Sequence, residues 1–210
     1  MRALRWFFAA GWACMLLGCS TSPEPDPVLA TVRQAFSGRP PYAPRRLPYD
    51  SLILRRSDGA LWAQAVLGRI DSPPGSWHWF VGRQSVRTDA VRPTKAVATA
   101  FDFILEPKDA SSWGQDPVRL ACLRGTAQQR EDWLDFPAAD AWSLTRSAEI
   151  LPRATPEAPV EERFRVDELG WSGVNRYWLD ADCRPRRAMV WLHPQQPAWE
   201  MRWLRAGEAP

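Results

Sequence analysis

The sequence predicts an all-β protein: an antiparallel meander forming a barrel-like or half-barrel sheet, with one short helix at its N-terminal side. Three observations predict it. From Ser51 onward apolar residues recur with a period of two, the spacing of one face of a strand. Turn signals punctuate that pattern at intervals of about 8–14 residues, as a run of short antiparallel strands requires. No helical period beyond residue 18 outlasts three turns.

Taken in order, Val28–Ser37 places Leu29, Val32 and Phe36 at helical spacing before Gly38, which predicts the one short helix. Residues 39–48 hold four prolines and read as a loop. Leu52 and Leu54 begin a strand that Ser57-Asp58-Gly59 turns back into Ala60–Ile70. After Ser72-Pro-Pro-Gly75, the stretch Ser76–Val81 sets Trp77, Trp79 and Val81 on one face. Gln84–Thr88 and two short strands within Thr94–Ile104 follow, and Val118–Arg124 is a further strand candidate. The stretches 106–116 and 128–140 carry no readable period. Ala141–Ile150 reads as a strand, and residues 152–159 are a Pro-rich break. The tail supplies strands through Phe164–Val166, Val174–Leu179, Arg186–Leu192 and Ala198–Leu204.

The front of the chain is a leader. Arg2 and Arg5 precede an apolar run from Trp6 to Leu17. As a helix, such a run reaches only about 18 Å, short of the roughly 30 Å of a bilayer core, so it reads as a signal peptide. Leu16, Leu17, Gly18 and Cys19 resemble a bacterial lipobox. That pattern implies cleavage before Cys19 and lipid attachment there, with the new amino group acylated as well. Residues 1–18 are then the signal peptide. Residues 19–27, Cys19 and the segment STSPEPDP, form an extended tether, and residues 28–210 a single domain. A secretory signal with a coincidental Cys is the plainer alternative.

The formal net charge of the 210 residues is +3, and loss of Arg2 and Arg5 brings it closer to neutral, so no nucleic-acid partner is implied. The abundance of Arg over Lys fits a GC-rich genome. Of four cysteines, Cys14 leaves with the leader and Cys19 takes lipid. Cys122 and Cys183 then stand in an oxidising compartment, either as a disulfide or as two thiols too distant to meet.

Sequence motifs for chemistry are sparse. His78 and His193 are the two histidines, each on a strand among Trp or Leu, with no Cys/His spacing suited to zinc, so no metal is expected. Gly170-Trp171-Ser172-Gly173 is only a fragment of a nucleophile elbow and reads as a turn. No phosphate-cradling Gly motif occurs, and no cofactor is expected. Glu161-Glu162 and Asp167-Glu168 are carboxylate neighbours, but adjacent strand residues point to opposite faces, so neither pair can flank one glycosidic bond. Carboxylates from different strands could still converge. The thirteen tryptophans are the composition's most unusual feature. Trp faces stack on sugar rings and also fill β cores. The same-face pairs Trp77 with Trp79 and Trp199 with Trp203 are candidate contacts for a glycan or a partner, and Trp178 and Trp191 could mark a docking face.

Two stretches resemble the YjbF/GfcB family of outer-membrane lipoproteins, encoded with exopolysaccharide or group 4 capsule genes. One runs from Pro48-Tyr49-Asp50-Ser51-Leu52 through the Gly59 turn to Trp79, Gly82-Arg83 and the hairpin ending near Val97. The other is Asn175-Arg176-Tyr177-Trp178-Leu179-Asp180 with the final hairpin to Arg205, preceded by Val166-Asp167-Glu168. The length of the 106–140 region departs from the family, as do Cys122 and Cys183, the latter standing where members carry a polar or Gly turn residue. The resemblance implies a lipoprotein anchored in the outer membrane, facing the periplasm, and supplies no established catalytic residues to carry over. Its role would lie in exopolysaccharide or capsule assembly or export, through export proteins or the polysaccharide itself. A polysaccharide-modifying enzyme and a periplasmic lipid or lipoprotein carrier are the alternatives.

Overall fold

The computed structural model of the protein describes residues 44–59, 62–71, 75–99 and 102–210. The leader, the tether and the predicted helix Val28–Ser37 lie outside the described residues. Twelve strands follow one another around a closed antiparallel barrel, each paired with its sequence neighbour. They are β1 (Ser51–Arg56), β2 (Trp62–Asp71), β3 (Ser76–Val81), β4 (Gln84–Asp89), β5 (Arg92–Val97), β6 (Phe103–Pro107), β7 (Gln128–Phe136), β8 (Ala141–Leu151), β9 (Val160–Val166), β10 (Trp171–Leu179), β11 (Pro185–Val190) and β12 (Trp199–Leu204). The ladder Ser51↔Leu204 to Arg56↔Trp199 between β1 and β12 closes it.

The period-two pattern is the inside–outside alternation of a barrel wall. Leu52, Leu54, Trp79, Val86, Phe103, Leu134, Ile150, Phe164, Tyr177 and Met201 belong to the enclosed core. Between them the outer wall carries exposed arginines, including Arg163 and Arg176 against Glu161 and Arg187 against Glu200. A membrane-spanning barrel turns an apolar band outward. The outer wall of this barrel instead carries charged pairs among its exposed residues. Gly173 lies under an aromatic lid: a Cβ there would stand 2.9 Å from Phe164 Cζ, so only glycine lets the ring lie flat on the strand.

One predicted element is of a different kind. Residues 117–124, expected as a strand, form the helix α1 (Pro117–Arg124). Its end signals explain the outcome. The Asp116 side chain accepts from the backbone N–H groups of Val118 and Arg119, Pro117 occupies the first turn, and Gly125 closes the helix at φ +63°. The stretch 128–140, unreadable by period, contains β7.

α1 sits in the β6–β7 connection. It packs at the barrel end that also carries the β2–β3, β4–β5, β8–β9 and β10–β11 connections, and its Val118 and Ala121 are fully buried in the core. Two ties hold it there. Asp116 Oδ2 accepts from Val91 N of the β4–β5 turn at 2.8 Å. Cys122 is disulfide-bonded to Cys183 of the β10–β11 turn, with Cα atoms 5.9 Å apart. Cys183 has φ +55°, a left-handed conformation that glycine adopts more freely than cysteine.

The bridge spans 61 residues, which in the chain-entropy model stabilises by about 4 kcal/mol. Replacing the pair as Cys122→Ala with Cys183→Gly removes the cross-link and relieves the turn's backbone together. A loss of about 3–4 kcal/mol in urea unfolding is expected, with the barrel's far-UV circular dichroism retained.

Candidate functional site

Two concave features meet the chemistry-bearing residues. The first is inside the lumen. Arg92 at the start of β5, Asp132 on β7, Arg146 on β8, Glu162 on β9 and Asn175 with Tyr177 on β10 all point inward and are buried. Glu162 is the hub. Its Oε1 accepts from Arg92 Nε at 2.8 Å and Arg146 Nη1 at 2.9 Å. Its Oε2 accepts from Asn175 Nδ2 and the Tyr177 hydroxyl, both at 2.8 Å. Asp132 accepts from Arg92 through Oδ2 and from Arg130 Nε at 2.6 Å through Oδ1.

Burial by itself raises a carboxyl group, but Arg146 and Arg92 outweigh it at Glu162 and hold that group well below the usual carboxylate range. Burial likewise raises Asp132, while Arg92, Arg130 and Arg146 bring it below its ordinary value. The two carboxylates converge from different strands, as the sequence allowed, yet Arg92 binds both. A carboxylate fixed as an anion by two guanidinium groups is no general acid. A cavity of about 20 Å³ adjoins the network, lined in part by Trp171, Trp191 and Leu192. That volume admits about one water molecule and no acyl chain.

The second feature is a cleft of about 350 Å³ at the helix-bearing end. Trp77, Asp50 and Cys183 line it together with Arg119 of α1, Arg184 after the disulfide and Arg205 after β12. Asp50 Oδ1 is engaged by Ala206 N, and Arg205 pairs with Asp180 at 3.1 Å. The guanidinium groups of Arg119 and Arg184 have no carboxylate partner among the described residues.

The structure separates the four candidate tryptophans. Trp79, Trp199 and Trp203 are buried in the core, so they offer no face to a glycan. That expectation is corrected for these three. The inward face of a strand is the lumen, and the Trp79 indole donates there to Thr88 Oγ1. Trp77 is partly buried, 5.7 Å from Trp79 between ring centroids, and reaches the cleft. Trp178 lies on the outer wall beneath Arg187, and Trp191 is partly exposed.

The six-residue motif sorts by alternation. Asn175 and Tyr177 hold Glu162, and Asn175 Oδ1 also accepts from Trp191 N. Arg176 pairs outward with Glu161, Leu179 is buried, and Asp180 Oδ1 caps the β10–β11 turn by accepting from Asp182 N and Arg184 N. His78 pairs with Asp71 at 2.8 Å, and the His193 ring lies against Phe136. Among the described residues no group of His, Cys, Asp or Glu is placed to hold a metal ion. Cys19 and the lipobox lie outside the described residues.

Sequence reasoning missed Arg119 and Arg184. The available signal was their position: each lies within three residues of Cys122 or Cys183, so a bridge between those cysteines brings them to one end of the molecule.

No protein-family model and no curated protein matches the sequence. The crystal structure of the hypothetical lipoprotein YmcC from Escherichia coli K12 is similar over 85% of this chain and 97% of that one, with a TM-score of 0.59 and 21% identity. The likeness shows the fold.

The lumen network makes two expectations. Glu162→Gln leaves Arg92 and Arg146 short of a counter-charge and should cost about 3–5 kcal/mol in urea unfolding. In the intact protein the depressed Glu162 and Asp132 contribute stability above the ordinary carboxylate range, and this is lost as pH falls through and below about 4.5. Asp116 acts in the opposite sense. Burial pushes it up to about 6, so its cost at neutral pH is relieved as pH falls from about 6 towards 4. Thermal midpoints should therefore peak near pH 5 and drop steeply below 4, and Asp116→Asn should flatten only the neutral side.

Proposed function

We propose that this protein is a lipid-anchored lipoprotein of the outer membrane, facing the periplasm, that serves exopolysaccharide or capsule assembly or export. It acts without catalysing a reaction, through contact with the glycan or with export proteins. The lipobox ending at Cys19 supports the anchor, and a wall of exposed arginines and carboxylates supports a barrel held in water beside the membrane rather than within it. The observation that carries the contact role is the contrast between the two concave features. The lumen's converging carboxylates are locked to arginines, while the cleft presents Trp77 and the guanidinium groups of Arg119 and Arg184, which have no carboxylate partner among the described residues. Such a surface is suited to gripping and releasing a ligand.

Deletion of the gene should abolish extracellular polysaccharide, and a Cys19→Ala chain should fail to restore it and take up no labelled palmitate. Unchanged polysaccharide in the deletion strain, or release of sugar products by the purified protein, would end this reading.

A further inference from the structure

The cleft's lining carries information about what it holds. Arg119 stands on α1 and Arg184 on the β10–β11 turn, and the Cys122–Cys183 bridge ties these two elements together. The bridge thereby brings to one cleft two arginines whose guanidinium groups have no carboxylate partner among the described residues. Arg presents a planar fork matched to a carboxylate or phosphate. Asp50, the one acidic residue of the lining among the described residues, accepts from Ala206 N. In the same cleft stands Trp77, its ring against Trp79, and aromatic faces with a polar edge suit rings that are apolar on one side and hydroxylated on the other. About 350 Å³ lies at the small end of the range for ligand pockets.

We infer that the cleft binds an acidic sugar, its ring against Trp77 and its anionic group between Arg119 and Arg184, with the disulfide holding the two arginines in position. This rests on the glycan-contact side of the proposed function and names the class of glycan. A neutral glucan would leave both guanidinium groups unanswered, and a bare anion would leave the indole unused.

The test is calorimetric titration of the acylated mature chain, in non-ionic detergent, with three probes: tetragalacturonate, neutral maltotetraose and inorganic phosphate. Tetragalacturonate should bind at least tenfold more tightly than the other two, and less tightly as salt rises. Arg119→Gln with Arg184→Gln should weaken it tenfold or more, as loss of charge-assisted hydrogen bonds implies. Trp77→Phe should weaken the saccharide without changing phosphate. Arg202→Gln, on the outer wall, should have no effect, and reduction of the disulfide should weaken tetragalacturonate while the barrel's circular dichroism persists. Equal binding of maltotetraose or of phosphate, full affinity in the double arginine variant, or no binding of tetragalacturonate overturns the inference. Those results leave the gene-deletion phenotype untouched, so the cleft assignment and the broader function fail separately.

Discussion

The barrel is built around one carboxylate. Glu162 sits at zero exposure with both oxygens filled by donors from three other strands. A charge so placed is tolerable only when every bond is made. Replacing such a network by apolar side chains often preserves or raises stability, so its presence is poor evidence of strength. It is better understood as a selector of register. A slip of one residue in β9 would send Glu162 outward and bring Glu161 or Arg163 into the lumen without their partners. The apolar residues along β8, β9 and β10 cannot impose that choice as sharply, because one aliphatic side chain substitutes for another at modest cost.

The same arrangement explains which parts of the fold were legible. β1, β3, β9, β10 and β12 show in the sequence because most of their inward positions are large and apolar at a period of two, such as Leu52 with Leu54, Trp77 with Trp79, Phe164 with Val166, Tyr177 with Leu179 and Met201 with Trp203. β7 did not show, because its buried positions include Asp132 and its flank Arg130. The network that specifies the barrel erases the alternation that would have announced the strand. α1 was misread for a simpler reason. Val118, Leu120 and Cys122 also alternate, and in eight residues a period of two competes well with one of 3.6. Asp116-Pro117 in front and Gly125 behind were the better guides.

The candidate site was legible only in fragments. Trp77 and Trp79 share a face in any strand reading, but which end of the lumen each occupies depends on barrel closure, and that decides exposure. Arg119 and Arg184 are far apart in sequence and line one cleft on elements joined by a disulfide whose pairing the sequence left open. Cleft residues from turns and a short helix have no common periodicity, so no pattern along the chain marks them as a group.

Closure carries a consequence for how the protein is made. The last strand completes the sheet against the first, and the bond from Ala206 N to Asp50 spans 156 positions. A chain delivered N-terminus first must keep the open side of β1 unpaired until nearly all the rest has arrived. Pairing across so long a loop is slow, and a waiting sheet edge invites the β12 of another molecule or another edge altogether. Maturation of this barrel is thus a race between self-completion and strand exchange, which makes a holding chaperone on its route a physical convenience and overexpression a hazard.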